Sequence, residues 1–118
     1  MNLKSMPPTP SGVSSLSNAP QSRIAPIHIH GEKQAELERL ANITSRLPGC
    51  EIKTLKDDYL HVVCKRFLIF VDDMEFLWNE AGQVFHVRSA ARLSITDFGA
   101  NRTRVELARH LFDKSILF

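Results

Sequence analysis

Two stretches of the chain concentrate side chains that can bind or do chemistry. Asp72, Asp73 and Glu75 stand almost side by side, and Arg88, Arg92, Asp97, Asn101, Arg102 and Arg104 follow soon after. Arginine forks match carboxylates and phosphates through paired hydrogen bonds. Arg88, Arg92, Asn101, Arg102 and Arg104 are therefore candidate ligand-binding residues for an anionic small molecule or a protein partner's acidic group. The competing reading is structural. Asp72, Asp73, Asp97 and Glu106 would neutralise these arginines and tie a long connection to a sheet, and the near balance of charge favours this. Asp72 or Asp73 with His86 is the alternative, catalytic pairing, that of a small hydrolase or isomerase.

Other chemistry has thinner support. His28 and His30 share one face of a strand, and with His61, His86 and Glu75 they are weak metal candidates. Exposed strand histidines explain that common spacing as well. Ser89 lacks a Gly-x-Ser-x-Gly elbow, and no Ser–His pair is indicated by spacing. There is no phosphate loop or dinucleotide fingerprint, and no cofactor is expected. The aromatics occupy apolar strand positions rather than a basic stacking pattern, which argues against nucleic acid. Arg102, Arg104, Arg109 and His110 read as the solvated side of a helix.

The elements that must hold these residues follow from periodicity. The chain has 118 residues, 43% hydrophobic and 24% charged, with a formal charge of +2. That suits one globular domain and is too weakly basic to imply nucleic acid or an anionic membrane by itself. No apolar run approaches the ~20 residues of a membrane span. The N-terminal residues lack the apolar core of a secretory signal, so the cytoplasm is the expected compartment. Residues 1–22, rich in Pro and Ser, read as a flexible arm, and residues 23–118 as a single α+β domain.

Ile24 to His30 reads as an edge strand and Gly31 to Arg46 as a helix burying Leu37, Leu40, Thr44 and Leu47, with Glu36 off that stripe. Strands follow at 51–55, 59–65, 68–78 and 83–90. A second helix runs from Asn101 to about Phe112, with Val105, Ala108, Leu111 and Phe112 inward and either Asp97 or Asn101 as cap. The order β-α-β-β-β-β-α predicts a two-layer sandwich, an antiparallel meander with both helices on one face.

Register carries the argument to single residues. Closing the hairpin around Gly82 with Trp78 opposite Gln83 pairs Phe76 with Phe85 and Met74 with Val87. Glu75/His86 and Asp73/Arg88 then lie on the other side. Asp72 falls on the apolar side, near Ser89, and a buried carboxylate needs partners. Ser89, Arg92, Arg102 and backbone amides are the candidates, unless a bulge turns Asp72 outward. If Leu55 and Tyr59 close the preceding turn, Cys50 stands opposite Cys64, with Ile52/Val62 and Thr54/Leu60 on the same face. Two buried reduced thiols are the reading for a cytoplasmic chain, and a redox disulfide is the alternative.

Phe70-Val71-Asp72-Asp73-Met74-Glu75-Phe76, then His86-Val87-Arg88-Ser89-Ala90, then Asp97 to Glu106, form an ordered pattern. It resembles the uncharacterised family known as domain of unknown function 1499, with bacterial and plastid members. Tyr59-Leu60-His61 and Pro10 to Ser15 extend the resemblance over nearly the whole chain. It marks Asp72, Asp73, Glu75, Arg88, Ser89, Arg92, Asp97, Asn101, Arg102 and Arg104 as motif residues and implies no known activity, substrate or cofactor. Two departures stand out. Gly12 lies where the family has a cysteine, and Ala91, Ser94, Ile95 and Thr96 replace its Ser, Gly, Tyr and Ser. The reading for function is a non-enzymatic binding module with an arginine pocket. The alternatives are the small Asp/His enzyme and a structural subunit whose arm folds on a partner.

Overall fold

Leu60, Val62 and Cys64, then Met74 and Phe76, then Phe85 and Val87 alternate with half-exposed neighbours, so three adjacent strands share one fully buried face. The computed structural model describes residues 3, 11–67, 69–93 and 97–115. Its elements are β1 (Gly12–Ser14), β2 (Ile27–His28), α1 (Lys33–Ser45), β3 (Cys50–Lys56), β4 (Tyr59–Arg66), β5 (Phe70–Asn79), β6 (Val84–Ala91) and α2 (Ala100–Ser115). The sheet is antiparallel and six-stranded in the order β1-β6-β5-β4-β3, with β2 also pairing along β6. Leu37 and Leu40 of α1 and Val105, Ala108 and Phe112 of α2 join the buried sheet residues in one core. The α+β fold and the expected order of elements hold. Among the described residues no helix is long and apolar enough to cross a membrane.

Several expectations change in detail. Residues 11–22 were expected within a flexible arm, but Gly12–Ser14 form β1 on the edge of β6, and Ser11 to Ser15 are buried. A Cβ at Gly12 would lie 2.4 Å from the Ser89 carbonyl oxygen, so in this chain the close approach requires glycine. Residues 1, 2 and 4–10, like Leu68, Ser94, Ile95, Thr96 and 116–118, lie outside the described residues. Leu111 was expected inward and is exposed, whereas Asn101 is fully buried. Glu36, expected off the stripe, is buried. It accepts the His30 N–H at 2.8 Å and Arg39 Nη2–H at 3.0 Å, and these bonds offset the desolvation of its charge.

The hairpin registers also move. In β5–β6 the true partners are Phe76/Val87, Met74/Ser89, Glu75/Arg88 and Asp73/Ala90, a slide of two residues from the expected register. A slide of two leaves every side chain on its expected face. In β3–β4, Lys56 pairs with Tyr59 and Leu55 with Leu60, yet Cys50 still meets Cys64, because the register shifts between Ile52 and Thr54. The extra residue of this bulge is Lys53.

Candidate functional site

The charged motif residues divide between the two faces of the sheet. On the core side Asp72 is fully buried. Its carboxylate accepts Arg66 Nε–H at 2.6 Å and Nη2–H at 3.0 Å, and Arg104 Nη1–H at 3.0 Å. Arg66 was not among the expected partners, because its place depends on the tight β4–β5 turn that pairs Arg66 with Phe70. Arg104, expected on the solvated side of α2, points inward and also reaches Asn101 Oδ1 at 3.3 Å. Ser89 Oγ–H donates to that same oxygen at 2.6 Å. Asn101 Nδ2–H donates to Asp97 at 2.9 Å, and Asp97 accepts the N–H groups of Gly99 and Asn101 at 2.9 and 3.1 Å. Asp97 thus satisfies the start of α2, as a capping carboxylate should. Burial works to raise its pKa, but hydrogen bonds from Asn101 and Gly99, with the Arg66 charge, hold it below the ordinary value.

The other face of the sheet carries two polar rows. Tyr59 donates to Glu75 Oε2, while Arg88 Nη1 approaches Glu75 Oε1 at 3.4 Å. Burial, then the bond to Glu75, pushes the Tyr59 hydroxyl well up. Beside this row Asp73 pairs with His61 at 2.7 Å and accepts Arg92 Nε–H and Nη2–H at 2.9 and 3.0 Å. Burial opposes the Asp73 charge, yet Arg92 and His61 outweigh it and lower the pKa. The expected carboxylate–imidazole pair thus exists with His61 rather than His86. His86 Nδ1 lies instead 2.9 Å from Ser15 Oγ, a Ser–His contact that spacing did not indicate. Ser15 is buried and its oxygen accepts the Val87 N–H at 2.8 Å, so it pins β1 to β6 and is badly placed as a nucleophile.

The remaining candidates scatter. Arg102 donates to the Gln21 carbonyl at 3.1 Å, and Arg109 to those of Ala25 and Pro26 at 2.6 Å each, so α2 clamps the segment before β2. His30 meets Asp113 at 2.8 Å while His28 is exposed. Among the described residues no three His, Cys, Asp or Glu side chains gather as metal ligands. Cys50 and Cys64, expected as reduced thiols, form a disulfide.

Two features went unseen in the sequence. A pocket of about 260 Å³ opens on the polar face, lined by Gly49, Glu51, Ile52, Lys53, Val63, Lys65 and Arg92. Lys53, the extra residue of the bulge, is among its lining residues, and no periodicity announces a bulge. At the same end of the sheet, Phe67, Ile69, Leu93 and Phe98 are 84%, 70%, 52% and 91% exposed. Phe67 and Phe98 also hold left-handed backbone, at φ 57° and 53°. For a bulky L-residue that costs roughly 1–2 kcal/mol.

A small α+β domain with an internally paired Arg/Asp lattice and a pocket lined by Lys53, Lys65 and Arg92 is the class of protein these features define. The chain belongs to the family described as "Protein of unknown function (DUF1499)", whose model matches residues 2–112. No curated protein and no solved structure matches it.

Proposed function

We propose that this protein is a non-catalytic binding module that accepts an anionic group in the pocket of Lys53, Lys65 and Arg92. The supporting observation is the charge left over there. Arg66 and Arg104 are consumed by Asp72, and Arg88 by Glu75. In the pocket two lysines, Lys53 and Lys65, face Glu51 alone, and Arg92 at its margin is already paired with Asp73. Among the described residues neither lysine is in an ion pair. On this reading the anion site lies at the sheet corner rather than at the start of α2.

The test is thermal unfolding of wild type against inorganic phosphate, pyrophosphate and small dicarboxylates. A ligand at 100 times its Kd adds about 2.7 kcal/mol to folding. For a chain of this size that raises Tm by roughly 10 °C. The rise should vanish in Lys53→Ala/Lys65→Ala and persist in Arg102→Ala. A rise that ignores the lysines, or none with any anion, overturns the reading.

The Asp73–His61 contact favours a second reading, a small hydrolase or isomerase using that pair. Turnover of any substrate in a broad ester and phosphoester screen, lost in His61→Ala at unchanged Tm, would support it.

A further inference from the structure

The pocket and the exposed apolar side chains share one end of the sheet. Arg66 pairs with Phe70, so Phe67 and Ile69 belong to the turn at that end, and Phe67 packs edge-on against Phe70 at 6.2 Å between ring centroids. The Arg92 N–H donates to the Val71 carbonyl at 2.9 Å, which places Leu93 beside the same turn. Asp97 feels the charge of Arg66, so the turn carrying Phe98 lies there too. Lys65 lies two residues before Phe67 in the chain, and Arg92 adjoins Leu93. The unpaired lysines Lys53 and Lys65 therefore flank the same apolar side chains.

We infer that this end of the molecule docks on an anionic phospholipid surface, with Phe67, Ile69, Leu93 and Phe98 entering the headgroup–acyl boundary and the Lys53/Lys65/Arg92 pocket taking a headgroup phosphate. Three features select lipid over a protein groove. The apolar side chains sit on turns rather than along a helix face or sheet edge, and fluid acyl chains need no matching shape. Aromatic rings favour the depth where hydrocarbon meets headgroups. The flanking exposed charge is mainly basic, complementary to anionic lipid, and its attraction falls off within a Debye length of the surface. Phe67 and Phe98 hold left-handed backbone with 84% and 91% of their surface exposed, the kind of outlier that clusters at functional rims. The inference rests on the anion pocket proposed above and adds the source of its anion.

The experiment is co-sedimentation of the full chain with phosphatidylcholine vesicles, and with vesicles in which a third of the lipid is phosphatidylglycerol, alongside phosphate-induced Tm shifts on the same proteins. Wild type is expected to bind the anionic vesicles, to bind the zwitterionic ones at least tenfold more weakly, and to be released by salt. Phe67→Ser/Ile69→Ser should weaken vesicle binding tenfold or more while keeping the phosphate shift. Lys53→Ala/Lys65→Ala should weaken binding by roughly fivefold per charge and lose the phosphate shift. Phe98→Ser serves as a second rim variant should the turn variant misfold. A phosphate shift without vesicle binding overturns the lipid inference and leaves the anion pocket standing. Neither response overturns both. Vesicle binding unchanged by the rim variants, or self-association of wild type lost in them without vesicle binding, overturns the inference in favour of a protein partner.

Discussion

Arg66 grips Asp72 through two parallel hydrogen bonds, at 2.6 and 3.0 Å, on a carboxylate with no exposure to solvent. A buried carboxylate is tolerated only when its lost hydration is replaced, and here two guanidinium groups replace it. The pair closes the β4–β5 turn, and Arg104 ties that turn to α2.

Removing one partner should therefore hurt more than removing the whole set. Asp72→Ala leaves Arg66 and Arg104 without the carboxylate that both hydrogen-bond, and we expect a loss of about 3–5 kcal/mol in urea unfolding. Asp72→Leu combined with Arg66→Met and Arg104→Met should recover a good part of it. Equal losses in the single and combined variants would show that the lattice is not an ion-pair device.

Acid should act in two steps. Burial, aided by the Arg23 charge, lowers the pKa of His86 below its ordinary 6.5. The folded value is depressed, so the unfolded chain takes up its proton first. The contribution of His86 is then full above about pH 6.5 and lost as pH falls through the window below it. Asp73 and Asp97, held below the ordinary 3.8, add a second loss as pH falls below that value. His86→Gln keeps an acceptor for Ser15 and should flatten only the first step in unfolding curves taken from pH 8 to 3. A first step unchanged in that variant would assign it to another group.

The Cys50–Cys64 disulfide joins facing positions of β3 and β4, 14 residues apart. A closed loop of that length is worth about 3 kcal/mol in the chain-entropy account. Reduction, or Cys50→Ala/Cys64→Ala, should lower stability by that order. Mass measurement after alkylation without reductant should find neither cysteine alkylated. Fully alkylated thiols would instead agree with the reduced pair expected from the sequence.

Gly12 offers a purely steric test. With the Ser89 carbonyl oxygen 2.4 Å from a built Cβ, Gly12→Ala must push β1 off β6. A cost of about 1–3 kcal/mol is the range for overpacking. Hydrogen exchange should quicken first at the Ala91 amide, which donates to the Ser11 carbonyl. Stability at the wild-type level would mean that β1 moves away freely.

Read alone, the residues determined the two helices and most of their buried stripes, the meander, and the apolar side of the sheet as the side of Asp72. Each is a local matter: a period of two or 3.6, a Pro-Gly stop, an alternation of apolar and charged side chains. Tertiary structure decided the rest. A period of two cannot tell a register from one slid by two, so the partners of Glu75 and Asp73 moved while their faces did not. The bulge at Lys53, the docking of Gly12–Ser14 on β6 and the reach of Arg66 to Asp72 join segments whose encounter leaves no periodic mark. The pocket at Lys53, Lys65 and Arg92 and the cluster of Phe67, Ile69, Leu93 and Phe98 depend on those same encounters. Local pattern specifies which side of an element is buried; only packing of the whole chain specifies which side chains meet.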